Sequence, residues 1–268
     1  MVINNQDNYF EQLINQDLIE MMLDAVSKGV YRIQPDGTLK ADTGVATESP
    51  WHHIAMLTDY NCELWHQVMF DIIGSKHRKF VPSGCQECWK VVVRPRSLHE
   101  LFQLLDIEFR LQLPSKCGIE RRATVHGLYG GYFYNKSLQE GLERYEQIRA
   151  EVDKNISPDV EVRLKRACTE FELAFPDSRA WEIHDWQLPI EALVTAFVAQ
   201  AQDGSPLQPP LVLTHVHRRW IEWAYQNGDV TYLEYTGGKP LYPAAVTYHH
   251  LAGKTDEEIE AFTKVNPQ

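Results

Sequence analysis

The sequence predicts an α+β protein with a ferredoxin-like, split βαβ core, and three observations carry that expectation. Two strand-then-helix units repeat 40 residues apart, each entering its helix through a serine followed three residues later by glutamate. Each unit leads into a further strand-like run, which gives the order β-α-β-β-α-β. Cysteines at both ends of this region fall where that topology brings strand ends together at one edge of the sheet.

Residues 1–75 read as a helical N-terminal segment. Asn8-Tyr9-Phe10-Glu11 resembles a helix-capping sequence, and Phe10, Leu13, Ile14, Leu18, Met21, Met22 and Val26 recur at helical spacing before Gly29. Pro35-Asp36-Gly37 predicts a turn. Ser49-Pro50 then opens a second helical stretch, with Ile54, Leu57, Cys62, Trp65, Val68, Met69 and Ile72 as its apolar content. His52, His53 and His66 lie here and read as packing or surface residues, because no cysteine or carboxylate stands four residues after any of them to help ligate.

Residues 76–176 form the predicted core. Trp89-Lys90-Val91-Val92-Val93-Arg94 is a strand entering a helix at Ser97-Leu98-His99-Glu100; Gly131-Tyr132-Phe133-Tyr134 enters another at Ser137-Leu138-Gln139-Glu140. Leu101, Phe102, Leu105 and Phe109 line the first helix, and Leu138, Leu142, Tyr145, Ile148 and Val152 the second. The second strands are predicted over 116–122 and over Val160–Lys165, where apolar and charged residues alternate.

Cys85 and Cys88 make a Cys-x-x-Cys pair just before the first strand, Cys117 opens the second, and Cys168 closes the fourth. Four thiolates converging from distant chain form the closed tetrahedral set that zinc takes in structural sites, so a structural zinc is expected at this edge. Five cysteines, with Cys62 left over, fit metal ligation in a reducing compartment better than a disulfide framework.

Residues 177–268 form a C-terminal α/β segment. A helix is predicted over 190–202 and a second over Leu211–Asn227, followed by a hairpin of Val230–Tyr235 and Leu241–Tyr248. Thr255 with Glu258 starts a last short helix.

Charge is distributed unevenly. Residues 1–75 carry −8, residues 76–166 carry +5 and residues 167–268 carry −8, within a total of −11. A basic middle marks a surface for anions, while the acidic flanks argue against broad, nonspecific attraction to DNA. The most apolar run, Pro189–Ala201, is short and contains Glu191, so no membrane span is expected, and the absence of a leader-like start predicts a cytoplasmic protein.

These observations predict a zinc-binding protein whose central domain takes RNA or single-stranded nucleic acid. The expected contacts are Lys79, Lys90, Arg94, Arg96, Arg121, Arg122, Arg163 and Arg166 for phosphates, and Tyr132 and Tyr134 for bases. A second class is an enzyme acting on a nucleotide or phosphorylated substrate through His215 and His217 beside Arg218 and Arg219. That pair shares a face only on a strand, and the Val and Trp spacing around it favours a helix. A third class is an interaction subunit whose acidic flanks meet a basic protein partner.

Overall fold

The computed structural model describes residues 26–29, 31–33, 35, 39–41, 49–55, 65–66, 69–70, 79–192, 208–242 and 252–265. It is a mixed α/β structure with one five-stranded antiparallel sheet and several helices. The chain divides into a unit ending at Gly238 and a short second unit, Lys239–Gln268.

The elements of the first unit run as follows. A small hairpin pairs β1, Tyr31–Ile33, with β2, Leu39–Ala41. Then come β3 (Trp51–Ala55), the single-turn α1 (Ser83–Gln86), β4 (Trp89–Arg94), α2 (Leu98–Leu111), β5 (Ser115–Ile119), β6 (Tyr129–Asn135), α3 (Leu138–Asn155), β7 (Glu161–Arg166) and α4 (Thr169–Ala174). After a 3-10 turn at Ser178–Ala180, α5 spans Pro210–Gln226 and a second 3-10 segment spans Val230–Tyr235. The second unit holds α6, Asp256–Val265, started by Thr255, whose hydroxyl accepts from the Glu258 amide while the Glu258 carboxylate accepts from the Thr255 amide.

The sheet order is β3-β5-β6-β4-β7, with every neighbouring pair antiparallel. Both serine caps form: Ser97 Oγ accepts from the Glu100 amide and Ser137 Oγ from the Glu140 amide, each at 3.2 Å. These bonds satisfy orphan amides at the starts of α2 and α3, so each strand turns into its helix at the residue the sequence specifies.

Strand alternation divides β4 into two sets of side chains. Trp89, Val91 and Val93 lie on the helix-covered face, where Gly131 admits Leu104 of α2 and Gly141 of α3 approaches Trp89 and Leu164. Lys90, Val92 and Arg94 lie on the other face. Seven of the fourteen residues of α2 are buried, against three of the eighteen of α3. The difference arises because α2 is covered twice: its far side meets α5 and the 3-10 segment, with Phe102 packed on Trp220 and, at 4.5 Å between ring centres, on Tyr235.

Two polar anchors fix that outer layer. Asp229 accepts from the Leu98 amide at the start of α2 and from Tyr129 Oη, both at 2.6 Å, and from Thr231. A carboxylate at the positive end of a helix, holding two buried donors, ties the C-terminal segment to both α2 and the sheet. The second anchor is at β3, which the sequence reads as helix and the structure forms as an edge strand. Its residues pair with β5, the Pro50 carbonyl accepts from Ile119 and Trp220, and Gln208 bonds the His53 amide and Trp51 carbonyl on the outer edge. Local periodicity yields here to tertiary pairing, and Gln208 blunts the exposed edge. Gly118 permits the approach, because a Cβ there would overlap the Pro50 carbonyl.

The expected strand at Val230–Tyr235 is a 3-10 segment instead, since Asp229 holds the Thr231 amide and hydroxyl and curls the chain at its start. The predicted α5 forms as read, and of the predicted helix at 190–202 only its beginning lies among the described residues. The helix around Phe10–Met22 and the run Pro243–Tyr248 lie outside them.

β3 meets α5 through a histidine pair. His52 Nδ1 and His217 Nε2 are 2.9 Å apart in the core, one ring donating and the other accepting. Burial pulls His52 down to about 4 and His217 well below the ordinary histidine range, and burial, with Lys116 and His52 nearby, pulls His53 down to about 3. The unfolded chain takes up these protons near pH 6.5 while the folded chain does not. Stability should therefore be fully present above pH 6.5 and fall as pH drops toward 4, by about 1.4 kcal/mol per pH unit for each histidine kept neutral. Denaturant unfolding from pH 7.5 to 4.5 measures this, and a flat profile would contradict it.

Candidate functional site

The face of the sheet away from α2 and α3 carries the charges. Lys90 and Arg94 from β4, Lys116 from β5, Tyr132 and Tyr134 from β6, and Lys165 from β7 share it by strand alternation and register. Trp51 of β3, His66, Arg121 and Arg122, and Thr169 and Glu170 at the start of α4 rise around them. All of these except Arg94 line an open cavity of about 450 Å³, within the range of small-molecule sites.

A buried polar network forms its floor. Tyr132 Oη donates to Glu120 Oε2 at 2.7 Å and accepts from Arg94 Nη1 at 3.0 Å and Arg122 Nη2 at 2.9 Å. Arg122 also grips Glu120 with two bonds, Nε to Oε1 at 2.9 Å and Nη2 to Oε2 at 2.7 Å, and reaches Glu170 Oε1 with Nη1 at 3.2 Å. Gly130 gives Arg94 its path, because a Cβ there would stand 2.6 Å from Nη1. Burial opposes the charge on Glu120, but the bonds from Arg122 and Tyr132 outweigh it and hold the carboxyl down at about 2. The same bonds to Glu120 raise the Arg122 guanidinium, and burial raises Tyr132.

The walls are lined by cations and rings. Lys116 Nζ lies 4.7 Å from the centre of the Trp51 ring, Lys90 Nζ lies 5.5 Å from that of Tyr134, and Trp51 meets Tyr132 edge-on. Lys90 Nζ also donates to Cys168 Sγ at 2.9 Å. Lys165 pairs with Glu172, and burial lowers its pKa. Five cationic side chains line the cavity, Lys90, Lys116, Arg121, Arg122 and Lys165, against two carboxylates, Glu120 and Glu170.

Of the residues expected to bind nucleic acid, Lys90, Arg121, Arg122, Tyr132 and Tyr134 line this cavity, and Arg94 reaches it through Tyr132. The other four do not. Lys79 stands over Phe70, and Arg96 pairs with Glu100 at the start of α2. Arg163 pairs with Glu161 along β7. Arg166 is a clamp, set between the Trp89 and Trp181 rings and bonded to the carbonyls of Gln86 and Ser178.

The four cysteines are not assembled into one site. Among the described residues, no three of them come within ligating reach of one another. Cys117 pairs across β6 with the level of Val93, four residues from Trp89, which displaces it about 13 Å along the sheet from the Cys85–Cys88 turn. It also points to the helix side, beside Glu108 of α2, where burial raises both the thiol and the carboxyl well above their ordinary ranges. Cys85 is a small apolar residue in a core of Trp65, Met69, Phe80, Val81, Ala167 and Phe171. Cys88 is half-buried, its carbonyl accepting from Ala167. Only Cys168 reaches the cavity.

His215 and His217 stand on α5 and are separated by it: His217 is buried against His52 and His215 is exposed. They share no site. The sequence reading missed Lys116, Glu120 and Glu170, although Lys116 on β5 and Glu120 just past its end are four residues apart, a spacing that signals a common face. Trp51 and His66 lie in a stretch whose periodicity points to helix throughout, so no local signal places them here. No protein family, curated protein or solved structure matches this chain.

Glu120→Gln leaves Arg94 and Arg122 facing each other across Tyr132 with no carboxylate between them. The expected loss is about 3 kcal/mol in denaturant unfolding, below the cost of a fully buried pair because Arg122 is partly exposed. Tyr132→Phe should lose about 1–2 kcal/mol. A Glu120→Gln loss under about 1 kcal/mol would contradict the network's role.

Proposed function

We propose that this protein binds a nucleotide, free or at the end of a single-stranded nucleic acid, in the cavity on the second face of the sheet. The observation that carries the reading is the excess of five lining cations over two carboxylates beside three aromatic rings. Cations meet phosphate oxygens, and Trp51, Tyr132 and Tyr134 offer surfaces for a base. The concave shape and volume favour one nucleotide unit over an extended groove. Two of the expected phosphate contacts, Arg96 and Arg163, lie on charges paired elsewhere, which further concentrates binding in the cavity.

We also infer that residues 89–166 form a ferredoxin-like core. The sequence order β-α-β-β-α-β and the sheet order β5-β6-β4-β7, with both helices on one face, support it, β3 being an added strand at the β5 edge. On such a core the helix-free face is the one used for nucleic-acid bases.

The test is a titration of the purified chain with ATP and with a short single-stranded RNA, read by tryptophan fluorescence across a range of salt. Affinity should fall with salt, with a log–log slope of about −0.7 for each phosphate engaged. Lys116→Gln and Arg121→Gln should each weaken it roughly tenfold, or about 1.4 kcal/mol, while Arg96→Gln leaves it unchanged. Salt-independent binding, or equal losses in all three variants, would remove the reading.

A further inference from the structure

We propose that His66, Cys168 and Glu170 form a binding site for one transition-metal ion of the zinc class in the wall of the cavity. A ring nitrogen of His66, Sγ of Cys168 and a carboxylate oxygen of Glu170 all lie within 4.8 Å of one another, and no other such set of three occurs among the described residues. Zinc bonds of 2.0–2.3 Å in a tetrahedral arrangement put ligand atoms about 3.4–3.8 Å apart. Side-chain rotations that draw the three inward by about an ångström close the difference.

Two atoms at this place have an unmet need. His66 Nε2 and Glu170 Oε2 are buried with no hydrogen-bond partner, although their residues lie beside a polar cavity. A buried polar atom left unsatisfied is costly, and a bound cation would satisfy both at once.

The surroundings orient all three groups as outer contacts orient metal ligands. Arg122 holds Glu170 by Oε1, the oxygen opposite the unpartnered one. Phe70 and Phe171 stand edge-on to the His66 ring, at 6.1 and 5.1 Å between centres. Lys90 donates to Cys168 Sγ, and a neighbouring ammonium favours the thiolate that binds metals. Ala167, at a positive φ of 54°, breaks the strand alternation after β7 and turns Cys168 toward the cavity.

The donor set selects the metal. Thiolate, imidazole and carboxylate together suit zinc or cobalt, and not the all-oxygen shells of calcium or magnesium. Their formal charge of −2 matches a divalent ion. Three protein ligands leave a fourth position, and all three line the cavity, so that position opens onto it as in zinc sites that hold a water or a substrate oxygen. Metal binding here does not depend on the nucleotide reading, since it needs no anion.

The experiment is elemental mass spectrometry on protein prepared under reducing conditions, reconstituted with zinc alone and dialysed. Wild type and Cys117→Ser should each retain about one zinc per chain, and Cys168→Ser and Glu170→Gln should bind it roughly tenfold or more weakly. Both are near-isosteric changes, and Glu170→Gln keeps an oxygen for Arg122, so circular dichroism should match wild type. Reconstitution with cobalt should give a sulfur-to-metal charge-transfer band that Cys168→Ser abolishes. Wild type that retains no zinc and shows no cobalt band, or Cys168→Ser that retains zinc undiminished, would overturn the proposal.

Discussion

Glu120 is the charge on which the second face of the sheet depends. Its side chain is 1% exposed, and it stands between two arginines and a phenol just past the end of β5, its own amide bonded to the Leu128 carbonyl. Burying Arg94 at 5% exposure beside Arg122 is tolerable only with a counter-ion between them. Glu120 supplies it, and in doing so fixes Tyr132, Arg94 and Arg122 in one geometry. Glu120 and Glu170 do not neutralise the five cations that line the cavity, and a positive balance is left there.

The opposite face explains why α5 and the 3-10 segment after it pack where they do. A sheet with two helices on one side would leave the outer surface of α2, rich in leucine and phenylalanine, in water. α5 and the 3-10 segment after it bury that surface, Asp229 pins them to the helix start, and the His52–His217 contact joins them to β3. The edge strand that results also delivers Trp51 to the cavity rim. Packing on the helix side therefore contributes to the site on the other side, through a strand that presents His52 to one and Trp51 to the other.

The core was legible because local and tertiary signals agree there. The strand Trp89–Arg94 and both serine-capped helices follow from sequence, since each cap is satisfied within four residues and needs no distant partner. The basic face was legible in part for the same reason: alternation on β4 and β6 names Lys90, Tyr132 and Tyr134. β3 was not legible, because its hydrogen bonds lie on β5 and Gln208, 60 or more residues away in each case. The cysteines show a different limit. Topology places strand ends at a common edge, but register and side-chain parity decide whether thiols meet, and Cys117 fails on both counts. Cys168 instead finds His66, a residue whose own neighbours in sequence give no hint of it.

Whether the cavity holds a nucleotide is tested by photo-crosslinking with an azido-substituted ATP followed by peptide mapping. Adducts on the peptides that carry Trp51, Tyr132 or Tyr134, competed by unmodified ATP and reduced by salt, are the predicted result. Adducts confined to residues outside the cavity, or labelling that unmodified ATP fails to compete, would contradict it.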